Sequence, residues 1–462
     1  MSALSDGGAV RAVRSLGPTS RRAVSSTSWP RGRSRMGATI HRSFAYRLHP
    51  TAAQAERLRQ WIGATRFVYN LCLEQRRDFW RQYRRQTGRH LTWAQQSQEV
   101  SELRRQVDWL ADVPRDALER ALRDLDAAYR AFFAGRNGYP HPRVKDARGV
   151  IQFISRDLAV KRLNARWSAI RLPKIGWVKF RDTRELRGRW LSVAVSHYAG
   201  QWRVSLAHEI ARAVSTPVQS SVGIDRGVTV FAALSTGELI DGPNVGRKAA
   251  ASLATAQRRL ARKKKGSNNR RKARLRVARL QARVAAARKD FLHKISTGLA
   301  KSHGVVVLED LKVRNMTASA RGTVETPGRN VRAKSGLNRA ILDQGWGMFR
   351  QMLAYKLEER GGYLLTVNPK DTSRTCSACG VVDADSRDGT RFACRACGHD
   401  AHADHNAAIN ILRRGTPLVP VELASAFNEA GTAIADADSP PRPLQKRTAP
   451  QPPSRDNAGG GG

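Results

Sequence analysis

The hydrophobic and polar positions of this chain repeat with two different periods, and the changes of period divide it into segments. Alternation over residues 40–48 predicts a strand, and from Thr51 the apolar positions follow a helical period through Phe67 to about Phe133. A turn at 135–140 ends this helical part. Short strands are predicted after it, at 150–153, 169–172, 177–180, 190–196 and 202–206. A small β domain interrupted by a helical lobe is the economical interpretation.

A second change of pattern begins at about Gln219. An apolar strand ends at Asp225, a continuing strand reaches Leu234, and a turn at 235–238 leads into another short strand. This pattern resembles the opening hairpin of an RNase H-like α/β domain. The chain is therefore predicted to be an α/β multidomain protein.

Basic residues dominate 247–294, where 18 Lys or Arg stand against a single acid, Asp290. A break at 266–269 divides the segment into two predicted helices. The second carries apolar residues at helical spacing: Val277, Leu280, Val284, Phe291 and Ile295. A charge run is often only a solvated helix face. Because salt bridges cannot balance so much positive charge, a helical hairpin that follows a phosphate backbone is the favoured interpretation.

The whole chain of 462 residues shares this bias, since 82 basic and 38 acidic residues give a formal net charge of +44. Such a charge repels itself unless a polyanion neutralises it, so a long nucleic acid is the expected partner. Coating of an anionic membrane fits less well, because no apolar run approaches the ~20 residues that cross a bilayer. With 41% hydrophobic residues to form cores, a soluble protein without a membrane partner is predicted.

Four of the five cysteines form two Cys-x-x-Cys pairs with the spacing C-x2-C-x14-C-x2-C: Cys376, Cys379, Cys394 and Cys397. Four thiolates close a tetrahedral shell, so a structural Zn²⁺ in a reducing compartment is predicted rather than disulfides. Gly380 and Gly398 follow the pairs, as a knuckle turn requires. Cys72 lies in apolar helical sequence and is expected to be core packing. Three histidines nearby are expected to be bystanders or nucleic-acid contacts: His399, His402 and His405.

Three acidic residues stand where a metal-dependent nuclease would need them. Asp225 ends one apolar strand, Glu309 ends another, and Asp404 opens a helix. Phosphodiester cleavage by two metal ions needs carboxylates that hold the ions ~3.5–4 Å apart, and Mg²⁺ prefers such oxygen ligands. Side-chain alternation lets only one of Glu309 and Asp310 face the ions, and the pattern does not decide which. Each acid alone has an ordinary explanation as a turn residue or helix cap, so the prediction depends on the set.

Seven motifs occur in a specific order: the run 64–70, Tyr139-Pro140 with Arg143 and Lys145, 223–225, 288–291, 308–311, Thr372-Ser373 before Cys376, and Asp404 with 406–408. On these motifs, over about residues 38–414, the chain resembles TnpB, the family of transposon-encoded RNA-guided nucleases related to type V CRISPR effectors. One difference is His402-Ala403-Asp404 where many relatives have Asp-Arg-Asp. The carboxylate is retained, so the difference bears on substrate contacts rather than on activity.

The resemblance implies roles for these residues. Asp225, Glu309 and Asp404 match the catalytic triad of a RuvC-type nuclease and would hold Mg²⁺. The zinc ribbon matches an insertion that binds target nucleic acid. The N-terminal β domain and its helical lobe match the part that grips guide RNA and reads a short motif beside the target.

The predicted boundaries follow from the patterns and the resemblance together. They are a disordered basic extension at 1–37, a β domain at 38–49 and 148–214, a helical recognition lobe at 50–147, a RuvC-like nuclease domain at 215–371 and 400–414 with its basic hairpin at 247–302, an inserted zinc ribbon at 372–399, and a disordered tail at 415–462. Met36 directly precedes the first folded pattern, so it is an alternative to Met1 as the initiator.

The predicted function is cleavage of double-stranded target DNA next to a short motif, directed by a guide RNA from the transposon. The resemblance implies a bacterial cytoplasmic protein associated with the nucleoid, and leaves monomer and homodimer open. A compact CRISPR effector with a guide from a repeat array would use the same chemistry. A repressor that binds without cutting is disfavoured because all three acids are present. A guide-independent transposase or accessory DNA-binding protein has no recombinase motif to support it.

Overall fold

The computed structural model describes residues 39–88, 90–144, 149–154, 158–183, 188–211 and 220–418. The predicted extension 1–37, together with the choice between Met1 and Met36, lies outside these ranges, and so does the predicted tail from 419 onward. That tail was predicted to begin at 415. Instead, Gly415 is buried against Val307 and ends the last helix, and Thr416–Leu418 form one 3₁₀ turn.

The first sheet contains seven antiparallel strands in the order β2-β6-β7-β1-β5-β4-β3. They are β1 (Thr39–His49), β2 (Gly149–Ile154), β3 (Ala159–Arg162), β4 (Trp167–Leu172), β5 (Gly176–Arg181), β6 (Arg189–Tyr198) and β7 (Gln201–Ala211). Alternate residues of the longer strands, such as Val193 and Val195 on β6 and Val204 and Leu206 on β7, are fully buried. The period-two pattern therefore gives the sheet one core face. The sequence pattern did not predict the short strand β3.

A helical lobe is inserted between β1 and β2, as the sequence predicts. It consists of α1 (Ala52–Phe79), a π-helical turn (Trp80–Arg84), α2 (Arg85–Thr87), α3 (Trp93–Gln106), α4 (Asp108–Ala111) and α5 (Arg115–Phe133). Thr51 starts α1 with a capping box that Gln54 completes. Trp61, Leu118 and Leu122 are buried in the core shared by α1 and α5. Phe67, part of the apolar pattern, is instead exposed and packs edge to face on Trp109.

The second sheet has five strands in the order β10-β9-β8-β11-β12. They are β8 (Ser221–Asp225), β9 (Val230–Leu234), β10 (Leu239–Asp241), β11 (Val305–Glu309) and β12 (Tyr363–Val367). Strands β8, β11 and β12 are parallel, whereas β9 and β10 are antiparallel to their neighbours. The whole of β11 is buried, because helices cover both faces of this sheet, which is why it reads as an unbroken apolar run.

The helices around this sheet are α6 (Val245–Ala261), α7 (Asn268–Ser302), α8 (Val313–Met316), α9 (Val331–Gln344), α10 (Trp346–Glu359) and α11 (Ala403–Gly415). On one face Leu292 of α7 and Phe349 of α10 pack with Val306 and Leu308. On the other face Ile411 and Leu412 of α11 pack with Val305 and Val307. The predicted break in the basic hairpin lies between α6 and α7, where Ser267 caps α7.

The cysteines lie between β12 and α11, in a segment with its own three-stranded sheet of β13 (Arg387–Asp388), β14 (Arg391–Ala393) and β15 (Asp400–His402). The predicted end of this segment at 399 is too early. Residues 400–402 pair antiparallel with 391–393 and belong to the same sheet. We call residues 372–402 the cysteine segment.

No helix in the described ranges is both long enough and apolar enough to cross a membrane.

Candidate functional site

Asp225 and Glu309 lie at the same edge of the second sheet. Strands β8 and β11 are parallel neighbours in which Ile224 pairs with Leu308. Asp225 and Glu309, the next residue of each strand, therefore lie side by side. The carboxyl ends of parallel strands are where α/β sheets place their binding groups. The fold therefore brings together two acids that are far apart in sequence.

Asp404 reaches the same edge from α11. This helix crosses β8 so closely that a Cβ on Gly223 would overlap the carbonyl oxygen of Ala408. Glycine at position 223 is therefore a requirement of the packing. His402 caps the helix by accepting a hydrogen bond from the Asp404 backbone N–H at 3.3 Å, so Asp404 itself is not the cap. We call Asp225, Glu309 and Asp404 the carboxylate cluster.

Burial distinguishes Glu309 from its neighbour Asp310. Glu309 is 7% exposed and accepts a 2.6 Å hydrogen bond from the Thr372 hydroxyl. Asp310 is ion-paired with Lys312 and, at 3.2 Å, with Arg350, and these cations lower its pKa. Of these two adjacent acids, Glu309 is the one whose charge acts on Asp225.

The carboxylate cluster is electrostatically costly. Burial, followed by the nearby charges of Glu309 and then Asp404, raises the pKa of Asp225 to about 7. Burial also raises the pKa of Glu309, although the Thr372 hydrogen bond and Arg226 oppose the shift. Crowded, partly desolvated carboxylates of this kind favour binding of a cation.

Two arginines partly offset this charge, and the sequence reasoning assigned a role to neither. Arg387 of β13 pairs with Asp404 at 2.8 Å and lowers the pKa values of both Asp225 and Glu309. Arg226, the residue after Asp225, is 6% exposed and donates to the backbone carbonyl of Glu309. Its position in the Gly-Ile-Asp-Arg-Gly run was visible in the sequence, but only the fold shows that it reaches the end of β11.

The four cysteines form a separate group, the thiol cluster: Cys376, Cys379, Cys394 and Cys397. Their sulfur atoms all lie within 4.8 Å of one another, and two separations, Cys376–Cys397 and Cys379–Cys394, are 3.7 Å. Tetrahedral Zn–S bonds of ~2.3 Å require sulfurs ~3.8 Å apart, so the arrangement fits Zn²⁺. Among the described residues this is the one set of three or more Cys, His, Asp or Glu ligand atoms so closely gathered.

Two equivalent turns build the thiol cluster. In each, the N–H of the glycine after the second cysteine donates to the carbonyl of the first, at 3.0 Å for Gly380 and 2.9 Å for Gly398. Both glycines have positive φ values, 79° and 74°, which other residues rarely adopt. Backbone N–H groups, first that of Cys397 and then that of Ala396, lower the pKa of Cys394 and so favour the thiolate.

The nearby histidines have structural contacts, and none joins the thiol cluster. His399 lies 3.3 Å from the hydroxyl of Ser377, and His405 lies 3.2 Å from the carbonyl of Ser235. Cys72 is buried in the core of the helical lobe, where burial raises its pKa to about 12, in agreement with a packing role.

A cationic surface runs along the basic hairpin. Lys272, Arg276, Arg279 and Arg283 recur at helical spacing on α7 and line a cavity of about 520 Å³. Arg279 and Arg283 also face Arg47 of β1 and Arg203 of β7 across a cleft of about 320 Å³. Cationic side chains along a groove can neutralise the phosphates of a nucleic-acid backbone.

A second, larger cleft of about 760 Å³ lies between the helical lobe and the first sheet. Four arginines line it: Arg59, Arg66, Arg120 and Arg143. Arg143 stacks over Tyr69 at 3.9 Å and pairs with Asp124 at 3.0 Å, while Gln152 contributes an amide. Both charged and hydrogen-bonding groups therefore line this cleft, and the Gln152 Nε2 donates to the Ser192 hydroxyl at 3.2 Å.

Three family profiles match the chain. Residues 203–320 match a family described as "Probable transposase" (OrfB_IS605), and residues 346–411 match the "Cas12f1-like, TNB domain". Residues 36–85 match a "Helix-turn-helix domain". Over 39–79 of that range the structure has β1 and one continuous helix, α1.

Curated relatives extend over most of the chain. A protein of Escherichia coli K12 named RNA-guided DNA endonuclease InsQ is 39% identical over 379 residues, which are 81% of this chain and 92% of that protein. An RNA-guided DNA endonuclease of Streptomyces pristinaespiralis is 35% identical over 81% of this chain and 90% of its own length. A solved Cas12f1–sgRNA–target DNA complex aligns with a TM-score of 0.45 and 14% identity over 81% of this chain and 98% of that chain.

Proposed function

The chain belongs to the TnpB family of RNA-guided DNA endonucleases, and on that premise we propose that it cuts double-stranded DNA at sites chosen by a guide RNA. The observation that carries this proposal is the convergence of Asp225, Glu309 and Asp404 at one edge of the second sheet. A transposon-associated nuclease is the function that the relatives and this geometry support together.

The second sheet would be an RNase H-like (RuvC) nuclease domain. In support of this assignment, an antiparallel β8-β9-β10 meander is extended by the parallel strands β11 and β12. Asp225 and Glu309 end β8 and β11, which are the first and fourth strands of this sheet along the chain. The cysteine segment would be a zinc ribbon inserted between β12 and α11. The fit of four sulfurs to a tetrahedral shell supports this assignment.

Asp225, Glu309 and Asp404 would be the catalytic residues and would hold Mg²⁺ through carboxylate oxygens, the ligands that this ion prefers. Bound there, a pair of such ions supplies activation of water and stabilisation of the leaving oxygen. The residues of the chain prepare the site. Arg226 fixes the end of β11 by donating to the carbonyl of Glu309, and burial keeps the Glu309 carboxylate from bulk water.

The cleft between α7 and the first sheet would hold the backbone of the guide RNA. Arg47, Arg203, Arg279 and Arg283 approach it from three different elements, which gives a charged groove rather than a single charged helix. A phosphate backbone neutralises such a groove and releases its counterions. Guide binding should therefore weaken steeply as salt rises.

The larger cleft between the lobe and the first sheet would read the short duplex motif beside the target. Its arginines can contact phosphates, and the amide of Gln152 can contact a base edge. In RNA-guided nucleases of another type, the protein reads only such a motif, and guide pairing reads the rest. The same division of labour is proposed here, for a protein of the bacterial cytoplasm.

The alternative of a CRISPR effector has weaker support. A Cas12f1 endodeoxyribonuclease of Sulfoacidibacillus thermotolerans is 45% identical over only 71 residues, 15% of this chain, whereas the InsQ similarity covers 81%. This difference favours a guide encoded by the transposon.

The first experiment is sequencing of RNA that copurifies at high salt from cells that express the protein with its native flanking DNA. One discrete RNA that ends in a variable segment is expected, and a complex reassembled with it should cut a plasmid carrying the matching target. Heterogeneous cellular RNA, together with no cleavage of a matched plasmid, would overturn the proposal in favour of guide-independent DNA binding.

A further inference from the structure

The buried carboxylate of Glu309 is held by a residue of the cysteine segment. Thr372 is 2% exposed, and its Oγ1 lies 2.6 Å from Glu309 Oε1. The same hydroxyl also lies 3.0 Å from the carbonyl of Pro369. A threonine hydroxyl has one proton to donate, and the shorter contact to a charged acceptor favours the carboxylate.

Two asparagines of α11 hold the loop that contains Thr372, and one of them contacts Thr372 itself. Asn410 Nδ2 donates to the carbonyls of Thr372 at 3.0 Å and Thr375 at 2.6 Å. Asn406, one helical turn earlier, donates to Thr375 O at 2.8 Å and accepts from the backbone N–H of Ser377 at 2.8 Å. Both asparagine side chains are buried, so these contacts do not compete with water.

These contacts connect the two metal-binding candidates. Ser377 directly follows Cys376 of the thiol cluster, and Asn406 lies two residues after Asp404 of the carboxylate cluster. A continuous set of hydrogen bonds therefore runs from the cysteine turn through Asn406, the carbonyl of Thr375 and Asn410 to Thr372, and from there to Glu309.

We propose that Thr372 is a positioning residue for Glu309, and that Asn406 and Asn410 keep it in place by clamping the start of the cysteine segment to α11. This inference rests on the proposed nuclease function of the carboxylate cluster. Partners that orient metal-binding carboxylates typically change metal affinity or activity 10- to 100-fold when they are removed. The clamp also gives the cysteine segment a role beyond contact with nucleic acid, since its first residues set the orientation of a catalytic group.

Thr375 provides a matched comparison in the same loop. Its hydroxyl also makes a 2.6 Å hydrogen bond, but to the backbone carbonyl of Asp371, and it touches no acid of the carboxylate cluster. It accepts a longer, 3.5 Å contact from Arg414, which the carbonyl of Asn368 also holds. Loss of the Thr375 hydroxyl removes a loop hydrogen bond of the same length. The difference between the two threonines therefore isolates the contact with Glu309.

The test compares Thr372→Val, Thr372→Ser and Thr375→Val in the full chain with its guide RNA. Mn²⁺ binding, followed by the loss of the free-ion electron paramagnetic resonance signal, is measured beside single-turnover cleavage over a range of Mg²⁺ concentrations. Thr372→Val is expected to weaken Mn²⁺ binding about tenfold. It should also raise about tenfold the Mg²⁺ concentration that gives half-maximal cleavage, the Mg²⁺ midpoint, and leave target binding unchanged. Thr372→Ser should restore both values to within about threefold of wild type, and Thr375→Val should leave both unchanged.

Wild-type Mn²⁺ affinity and Mg²⁺ midpoint in Thr372→Val would overturn the proposal. So would equal effects of Thr372→Val and Thr375→Val, because the loop as a whole would then be responsible. Thr372→Ala provides a second variant without the hydroxyl, and early melting of both variants would make the role of Thr372 structural instead. Absence of cleavage by the wild-type complex would contradict the proposed function itself, whereas Mn²⁺ binding would still test the positioning role.

Discussion

The thiol cluster and the carboxylate cluster both gather candidate metal ligands, but the fold brings the ligand atoms closer together in the thiol cluster. The four sulfurs lie within 4.8 Å of one another, and two pairs are separated by 3.7 Å, as a tetrahedral zinc shell requires. The carboxylates are near enough to raise the pKa of Asp225, yet they do not form a set with all ligand atoms within 4.8 Å.

The difference follows from charge and from how each site is built. Short turns within residues 376–397 bring the cysteines together. Thiols can lie close without repulsion until the metal removes their protons. The three acids come from two strands and a helix, and they repel one another unless a cation is present. The thiol cluster can therefore be complete before a metal ion binds. The carboxylate cluster, which must accept ions and substrate in the proposed function, remains partly open.

Removal of one acid is the strongest test of this comparison. Asp225→Asn is expected to reduce cleavage at least about 10³-fold, equivalent to about 4 kcal/mol, because one ligand for the ions is lost. RNA-guided binding should remain, since Asp225 lies outside both cationic clefts. Plasmid cleavage and an electrophoretic shift assay with the same complex measure the two properties.

Glu309→Gln and Asp310→Asn form a matched pair for this prediction. The two acids are adjacent in sequence, but Asp310 is ion-paired with Lys312 and Arg350 outside the cluster. Glu309→Gln should behave like Asp225→Asn, and Asp310→Asn should cut within a few-fold of wild type. Loss of target binding in Asp225→Asn, or equal losses in the matched pair, would contradict the proposed roles.

Loss of one thiolate tests the other half of the comparison. Cys394→Ser should reduce the zinc content from about one ion per chain, because three thiolates no longer close the shell. Cleavage should fall about 10- to 100-fold, since the turn that Asn406 contacts through Ser377 would loosen. Elemental analysis and cleavage rates provide the measurements.

Cys72→Ala is the control for the cysteine prediction, because it removes the one cysteine outside the thiol cluster. Its zinc content should equal that of wild type. Unchanged zinc in Cys394→Ser would show that the thiol cluster does not bind the metal.

The two clusters also differ in how far the sequence predicted them. The spacing of the cysteines and their following glycines predicts the turns, because knuckle geometry is local to each Cys-x-x-Cys-Gly run. The resemblance to TnpB is confirmed by relatives that cover most of the chain. The assignment of the three acids as catalytic residues stays a prediction, now with the geometry to support it.

The sequence did not predict the contacts between residues of different helices, strands and loops. Glu309 and Asp310 could not be distinguished, because the choice depends on which face of β11 is covered by α11 and by the loop before Cys376. Arg387 lies in a segment with little periodicity, and no pattern indicates that it reaches Asp404. The apolar stripe predicted on α7 runs through Phe291 and Ile295, which are only partly buried, whereas Leu292 and Leu299 beside them are the buried core positions.

The raised pKa of Asp225 predicts that the stability of the metal-free chain depends on pH. The carboxyl has a pKa of about 7 in the folded chain against its ordinary 3.8, so between these values the folded state binds more protons than the unfolded state. Without divalent ions, the contribution of this group to stability should fall as the pH rises from 4 to 7. Because the ion must displace the proton, Mg²⁺ affinity should weaken up to about tenfold per pH unit below about 7.

Asp225→Asn tests this prediction directly, because an amide does not titrate. In chelator, the variant should melt at a higher temperature than wild type at pH 8 and at a similar temperature at pH 5. Thermal melting at the two pH values, with and without Mg²⁺, gives the comparison. A constant difference in melting temperature across this range would mean that Asp225 does not titrate there.

The smallest expected effect concerns the contact between the two regions, the ion pair of Arg387 with Asp404. In metal-free protein this guanidinium neutralises part of the charge that attracts Mg²⁺, and its partly exposed pair should contribute only about 0.5–1 kcal/mol. Arg387→Gln should therefore lower the divalent-ion midpoint about two- to fivefold, as measured by Mn²⁺ binding.

Arg391 is the matched control, because it lies on the neighbouring strand and pairs with Asp400, away from the acids. Arg391→Gln should leave the midpoint unchanged. A higher midpoint in Arg387→Gln would mean that the arginine assists ion binding instead of competing with it. The carboxylate cluster would then resemble the thiol cluster, because neighbouring groups of the protein would favour metal binding at both.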